Sequence, residues 1–231
     1  MTEHNLVDKL FLCDGGPYSL GTAMAARSGS GKTTLFTHLV GKAAGTKKYK
    51  EHRWVYVSVK GEHLFGPKTP VVTNIDDLAK ALKKNQIVVY FPLYAEEYEA
   101  EVNEIIDLVF NMADKNEKAG FNVIIDDANV LDGFSSVGRP SPQVKKLVIA
   151  GRSKRVRGFF ILHRLGNLPR LMNGNISNLV IMNINPMDNE YARKIFGLEG
   201  LDELTEELGD FKWVHVDLIN EEVRKFNPVP Y

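Results

Sequence analysis

Ala26-Arg27-Ser28-Gly29-Ser30-Gly31-Lys32-Thr33 is the stretch that decides the fold of this chain. The apolar run Gly21–Ala25 before it reads as a strand, and residues 33–41 after it read as a helix closed by glycine. This is the context that the pattern G-x-x-x-x-G-K-[ST] requires. Its glycines let backbone N–H groups converge on a phosphate with no Cβ in the way, and the positive end of the following helix adds to the attraction. Lys32 is expected on the β- and γ-phosphate oxygens of ATP and the Thr33 hydroxyl on Mg²⁺, with Arg27, Ser28, Gly29, Ser30, Gly31 and Thr34 completing the cradle. Ala26 stands where the pattern has its first glycine; the position asks for a small residue at the turn.

Further along, Phe121-Asn122-Val123-Ile124-Ile125-Asp126-Asp127 ends an apolar strand with two adjacent carboxylates. A carboxylate at the C-terminal edge of a parallel sheet faces the crevice in which α/β proteins bind ligands. Asp126 is expected to hold Mg²⁺ through water. Asp127 is then the group that orients or deprotonates the attacking water, because a second acid is needed once the first is committed to the metal.

Around these two segments, short β-branched and aromatic runs alternate with helical patterns, the signature of βαβ units. Strands are expected at residues 21–25, 54–59, 87–91, 123–125, 159–162 and 179–183, several of them apolar without alternation, as when helices cover both faces of a parallel sheet. Residues 76–83 read as a helix. Tyr98, Val102, Ile105, Ile106, Val109 and Phe110 recur at helical spacing with glutamates on the other face, a core-packing stripe. Residues 212–219 and 222–226, flanking Asn220-Glu221, read as a terminal hairpin. The fold class expected is therefore α/β, a P-loop NTPase of the RecA-like kind, with a mostly parallel sheet, helices on both faces and a C-terminal β-hairpin.

The chain has 231 residues, 44% hydrophobic and 25% charged, which is enough apolar material for a sizeable core. No repeat, low-complexity tract or Pro/Gly/Ser-rich linker divides it, so residues 1–231 are expected to form a single domain. The first residues, Met-Thr-Glu-His-Asn, lack a basic segment followed by an apolar one, and no run approaches the roughly 18 apolar residues of a membrane span. The single cysteine, Cys13, excludes an internal disulfide or a cysteine-built metal site. The net charge of zero argues against coating nucleic acid over the whole surface, yet the charge is uneven. No acidic residue lies between Asp132 and Asp188, a stretch that holds Arg139, Lys145, Lys146, Arg152, Lys154, Arg155, Arg157, Arg164 and Arg170. It reads either as a solvated face or as a surface that meets a polyanion.

With these segments in place, the chain resembles the FtsK/HerA superfamily of ring-forming, DNA-pumping ATPases, and within it the compact DNA-packaging ATPases of tailless double-stranded DNA viruses with an internal membrane. Beyond the phosphate loop, the resemblance rests on three segments. Gly151-Arg152 precedes the strand that ends in His163-Arg164; by the family pattern Arg152 is an arginine finger that reaches a neighbouring subunit's ATP, and His163 occupies the sensor position, usually glutamine. Lys60-Gly61-Glu62-His63 is similar to the Lys-Gly-Glu after the second strand of HerA-like and conjugation ATPases, which makes Glu62 a candidate for contact with the attacking water. Residues 176–185 and 189–196 parallel the family's closing strand and helix. The resemblance implies a homo-oligomeric ring, pentamer or hexamer, acting on double-stranded DNA and docking on capsid vertex or viral membrane proteins, in the host cytoplasm or at the packaging vertex of the virion.

A different class remains open on the residues alone: a P-loop kinase or other small-molecule phosphotransferase uses the same loop with a second substrate pocket. Neither an Asn-Lys-x-Asp guanine signature nor a Leu-Ser-Gly-Gly-Gln transporter signature is present.

Overall fold

A computed structural model describes residues 3–11, 20–58, 65–135, 137–199 and 211–229. Seven parallel strands, β1 (Gly21–Ala25), β2 (Arg53–Val57), β3 (Val71–Val72), β4 (Ile87–Tyr90), β5 (Phe121–Ile125), β6 (Val156–Leu162) and β7 (Ile176–Ile181), join an antiparallel pair, β8 (Trp213–Asp217) and β9 (Glu222–Phe226). They form one sheet in the order β3-β4-β2-β5-β6-β1-β7-β8-β9.

Within the strands, successive side chains enter different cores even where hydropathy does not alternate. Val55, Val57, Val123 and Ile125 pack on one face, against α3 (Ile75–Lys84), α4 (Tyr98–Lys115) and α5 (Pro142–Ala150) through Leu78, Val102 and Val144. Trp54, Tyr56 and Ile124 pack on the other, against α1 (Glu3–Phe11) and α2 (Lys32–Ala44) through Leu10, Phe36 and Leu39. A strand sandwiched in this way has no polar side, which is why its sequence reads as a continuous apolar run. The stripe on α4 is core: Val102, Ile105, Ile106 and Val109 are fully buried, each contributing about 2 kcal/mol of transfer free energy.

Expected and observed elements differ at their ends. The strand expected at 159–162 begins at Val156, and that expected at 123–125 begins at Phe121, because hydrogen bonding to the neighbouring strand, not apolar character, sets where a ladder starts. The strand expected at 179–183 spans Ile176–Ile181, displaced toward the start of the ladder with β1. Helices α1, α5 and α6 (Arg170–Asn173) are further elements; α5 is opened by Ser141, whose Oγ accepts the Val144 N–H at 3.2 Å. The remaining helix, α7 (Pro186–Phe196), is capped by Asn185 and closed by Gly197 in the left-handed region. No helix among the described residues is long and apolar enough to cross a membrane.

The basic stretch is divided by the fold. Arg139 and Arg164 lie at the C-terminal edge of the sheet, before α5 and after β6, while Arg152, Lys154 and Arg155 form the turn at its N-terminal edge. Acidic side chains of α4 engage part of it: Lys146 pairs with Asp107 at 3.0 Å and Lys154 with Asp114 at 2.7 Å. Arg157, expected among the bases that could meet a polyanion, is 1% exposed, donates to Ser177 Oγ at 3.2 Å and stands over the Phe159 ring. As an inward-pointing residue of a central strand it serves the interior, and it is withdrawn from that set.

Candidate nucleotide site

The phosphate loop leaves β1 and turns directly into α2. Gly29 and Gly31 have φ of 78° and 83°, left-handed values that explain why glycine occupies both positions. Ala26 is buried and has no such requirement, so alanine fits the first position of the loop without strain. The loop is tied to its neighbours by Ala26 N–H to the Leu162 carbonyl at 3.2 Å and Arg27 N–H to the Asn183 carbonyl at 2.8 Å. Lys32, 7% exposed, curls back over the loop, its Nζ donating to the carbonyls of Ala26 at 2.9 Å and Arg27 at 3.0 Å.

Because β1 and β5 both run parallel to β6, their C-terminal ends face the same crevice. Asp126 follows β5 there and is 2% exposed. Its Oδ2 accepts from Thr33 Oγ1 at 3.3 Å and from Tyr56 OH at 3.0 Å, its Oδ1 from the Asp127 N–H at 3.0 Å, and its carbonyl from Tyr98 OH at 3.0 Å. Burial, reinforced by the Asp126 charge, holds both tyrosine hydroxyls above their ordinary pKa, so they remain donors to the aspartate.

Asp127 has φ of 52°, a left-handed conformation that costs a non-glycine residue about 1 kcal/mol. Its Oδ1 meets His163 Nε2 at 2.9 Å. The other ring nitrogen of His163, Nδ1, is 3.3 Å from Lys32 Nζ, and the His163 N–H donates to Asn129 Oδ1 at 3.0 Å. A neutral imidazole protonated on Nε2 satisfies both contacts, accepting from the ammonium and donating to the carboxylate.

Of the expected site residues, Lys32, Thr33, Asp126, Asp127 and His163 thus converge, with Arg27, Ser28, Gly29, Ser30, Gly31 and Thr34 around them. Glu62 lies outside the described residues. Arg152 is exposed and does not join this cluster: it precedes β6, whereas His163 follows it, and seven strand residues span about 23 Å. A Cβ on Gly151 would lie 2.3 Å from the Leu147 carbonyl oxygen and 2.4 Å from that of Val156, so glycine is demanded by the turn that presents Arg152.

Tyr56 and Asn129 are not picked out by the sequence, and Tyr98 is read there only as part of the core-packing stripe. The usable signal for Tyr56 is a polar tip near the end of a buried strand, but that β2 lies beside β5, with Tyr56 opposite Ile124, is visible only in the sheet.

No protein-family model and no curated protein sequence matches the chain. Solved structures do match its fold. The genome packaging NTPase B204 from Sulfolobus turreted icosahedral virus 2, in complex with sulfate, superposes with a TM-score of 0.74 at 15% identity, covering 92% of this chain and 98% of that one. VirB4 of Thermoanaerobacter pseudethanolicus superposes with a TM-score of 0.64 at 8% identity, covering 91% and 89%. The pCW3 conjugation coupling protein TcpA, with ATPgS, gives 0.58 at 11% identity, covering 90% and 59%. The mostly parallel α/β architecture expected from the sequence is the one these solved structures share.

Proposed function

We propose that this protein is an ATP-driven motor that moves double-stranded DNA into a preformed viral capsid, working as a homo-oligomeric ring. One arrangement carries the reading. Lys32, Thr33, Asp126, Asp127 and His163 converge at one edge of the sheet while Arg152 stands at the other, so Arg152, as the arginine on the transferring phosphoryl group, would act on a neighbour's ATP and not on its own. Likeness of fold to a genome packaging NTPase supports DNA, rather than a second small molecule, as what the hydrolysis acts on.

In this reading Lys32 exchanges its carbonyl partners for the β- and γ-phosphate oxygens. Thr33 Oγ1 and Asp126 Oδ2 are oxygen donors suited to Mg²⁺, which favours one or two protein ligands completed by water and phosphate. Among the described residues no cluster of three or more His, Cys, Asp or Glu offers a cage built from protein alone, which agrees with an ion shared with the substrate. The ion supplies charge neutralisation at the phosphates when bound. Asp127, freed from metal binding and oriented by His163, takes the proton of the attacking water. Outside the site, grip on the duplex needs only phosphate contacts and is indifferent to sequence.

The test is ATP turnover measured against protein concentration, with and without double-stranded DNA. A rise with both, abolished by Lys32→Ala, is expected. Turnover per chain that ignores both variables marks a monomeric phosphotransferase instead, and undiminished turnover in Lys32→Ala removes the site altogether.

A further inference from the structure

We infer that the base of the nucleotide enters the slot between the phosphate loop and Met182, Asn183, Phe211 and Lys212, with the Phe211 ring as its stacking platform. The inference rests on the phosphate-loop reading and adds the end of the ligand that this reading leaves unplaced.

The polarity of the site fixes where a base must go. Lys32 Nζ, His163 and the two aspartates mark the γ-phosphate end. In a loop of this kind the α-phosphate lies by the residues that open the helix, here beside Thr34, so the sugar and base leave on the side away from Asp127. On that side a cleft of about 160 Å³ opens between loop residues 27–30 and Met182, Asn183, Phe211 and Lys212, whereas the gap that Phe211 shares with Val229 is only about 10 Å³.

The terminal hairpin builds this wall. β8 runs antiparallel to β7, with Val214 opposite Ile181, so the residues before β8 meet those after β7 at the edge where the phosphate loop sits. Trp213 stacks on Phe226 at 4.3 Å between centroids and donates Nε1–H to the Asn227 carbonyl at 3.1 Å, which brings the segment after β9, and with it Val229, to the same end. Phe211 stands there with φ of 62°, a conformation that bulky residues rarely adopt, and its ring is close enough to Gly31 that a Cβ on that glycine would lie 2.9 Å from it. It is also 39% exposed, although Trp213 two residues on is 1% exposed. An aromatic ring held in a strained backbone, partly exposed beside a phosphate loop and flanked by a methionine and a valine, matches a planar heterocycle: base–aromatic stacking needs one flat face and soft apolar surroundings.

Calorimetric titration of the full chain with Mg-ATPγS and with Mg-tripolyphosphate tests this, because the second probe has the phosphates and no base. Phe211→Ala and Phe211→Leu are expected to weaken ATPγS by about tenfold or more and to leave tripolyphosphate within about twofold of wild type, with Phe211→Trp restoring ATPγS. Equal losses for both probes would mean that Phe211 only props Gly31, and an unchanged ATPγS affinity would place the base elsewhere; either overturns the inference. A wild-type chain that binds neither probe overturns the phosphate-loop reading itself, and a wild type that binds tripolyphosphate while Phe211 variants keep full ATPγS affinity overturns the slot alone.

Discussion

His163 Nε2 lies 2.9 Å from Asp127 Oδ1 while its Nδ1 lies 3.3 Å from Lys32 Nζ, so one imidazole connects the phosphate-binding lysine to the second acid of the site. His163→Ala is expected to lower the single-turnover rate of ATP cleavage by about a hundredfold with ATP affinity changed only a few-fold. His163→Gln, which can donate to Asp127 and accept from Lys32, should recover most of the rate. Equal activity of the alanine variant and wild type would remove His163 from the reaction.

Asp126 and Asp127 are separated by the sign of one backbone angle, and their variants should differ accordingly. Asparagine tolerates the left-handed conformation at 127, so Asp127→Asn is expected to fold, bind Mg-ATP nearly normally and lose about 10² to 10⁴ in hydrolysis. Asp126→Asn should instead raise the Mg²⁺ concentration needed for half-maximal ATP binding, since Thr33 and Tyr56 converge on the carboxylate it removes. Titration of ATP binding against Mg²⁺ separates the two. A trapped, tightly binding Asp126→Asn with an active Asp127→Asn would reverse the assignment.

Arg152 cannot serve the site of its own chain, and this makes complementation the informative experiment. Arg152→Ala is expected to bind ATP normally and to hydrolyse it on the order of 10³-fold more slowly. Mixed with Lys32→Ala, it should regain part of the ATPase activity, because mixed rings contain interfaces where an intact Lys32 faces an intact Arg152. Full activity of Arg152→Ala alone would sink the ring mechanism.

Two buried histidines give the fold a pH dependence unrelated to catalysis. Burial lowers His52 to a pKa of about 4, with Arg155, Arg53 and Lys48 adding to the effect. Burial likewise lowers His215 to about 4, against the opposing charge of Asp217, while its Nε2 contacts Asn178 Oδ1 at 2.8 Å. Both are neutral when folded and take up a proton on unfolding below their ordinary value of 6.5. Their contribution is therefore present above that value and lost as pH falls toward 4, on the order of a few kcal/mol for each. Denaturant titrations at pH 7.5 and pH 5, each run on wild type and on His215→Asn, should show a smaller pH effect in the variant; identical pH effects would contradict this.

The parallel sheet and the phosphate end of the site were legible in the sequence because backbone geometry and local chemistry coincide there: Gly29 and Gly31 have the angles only glycine adopts readily, and the apolar run before Asp126 is a strand buried on both faces. What depends on which strands are neighbours was not legible. Tyr56 reaches Asp126 because β2 pairs with β5, the division of the basic stretch between two edges follows from the direction of β6, and Phe211 meets Gly31 only because β8 runs against β7. Arg157 illustrates the same limit from the other side, since its charge suggests the surface and its place on a central strand sends it inward.

Strand β6 is paired with β5 at residues 156–160 and with β1 at residues 159–162, and it carries the Gly151–Arg155 turn at its start and His163 at its end. An extended strand bonded into a sheet resists stretching, so its two ends move together with the sheet around it. In the ring proposed above, a displacement of this part of the sheet at His163 would be carried to Arg152, and with it to the active site next door. Each subunit would then report the state of its own nucleotide to its neighbour through the seven residues of one strand.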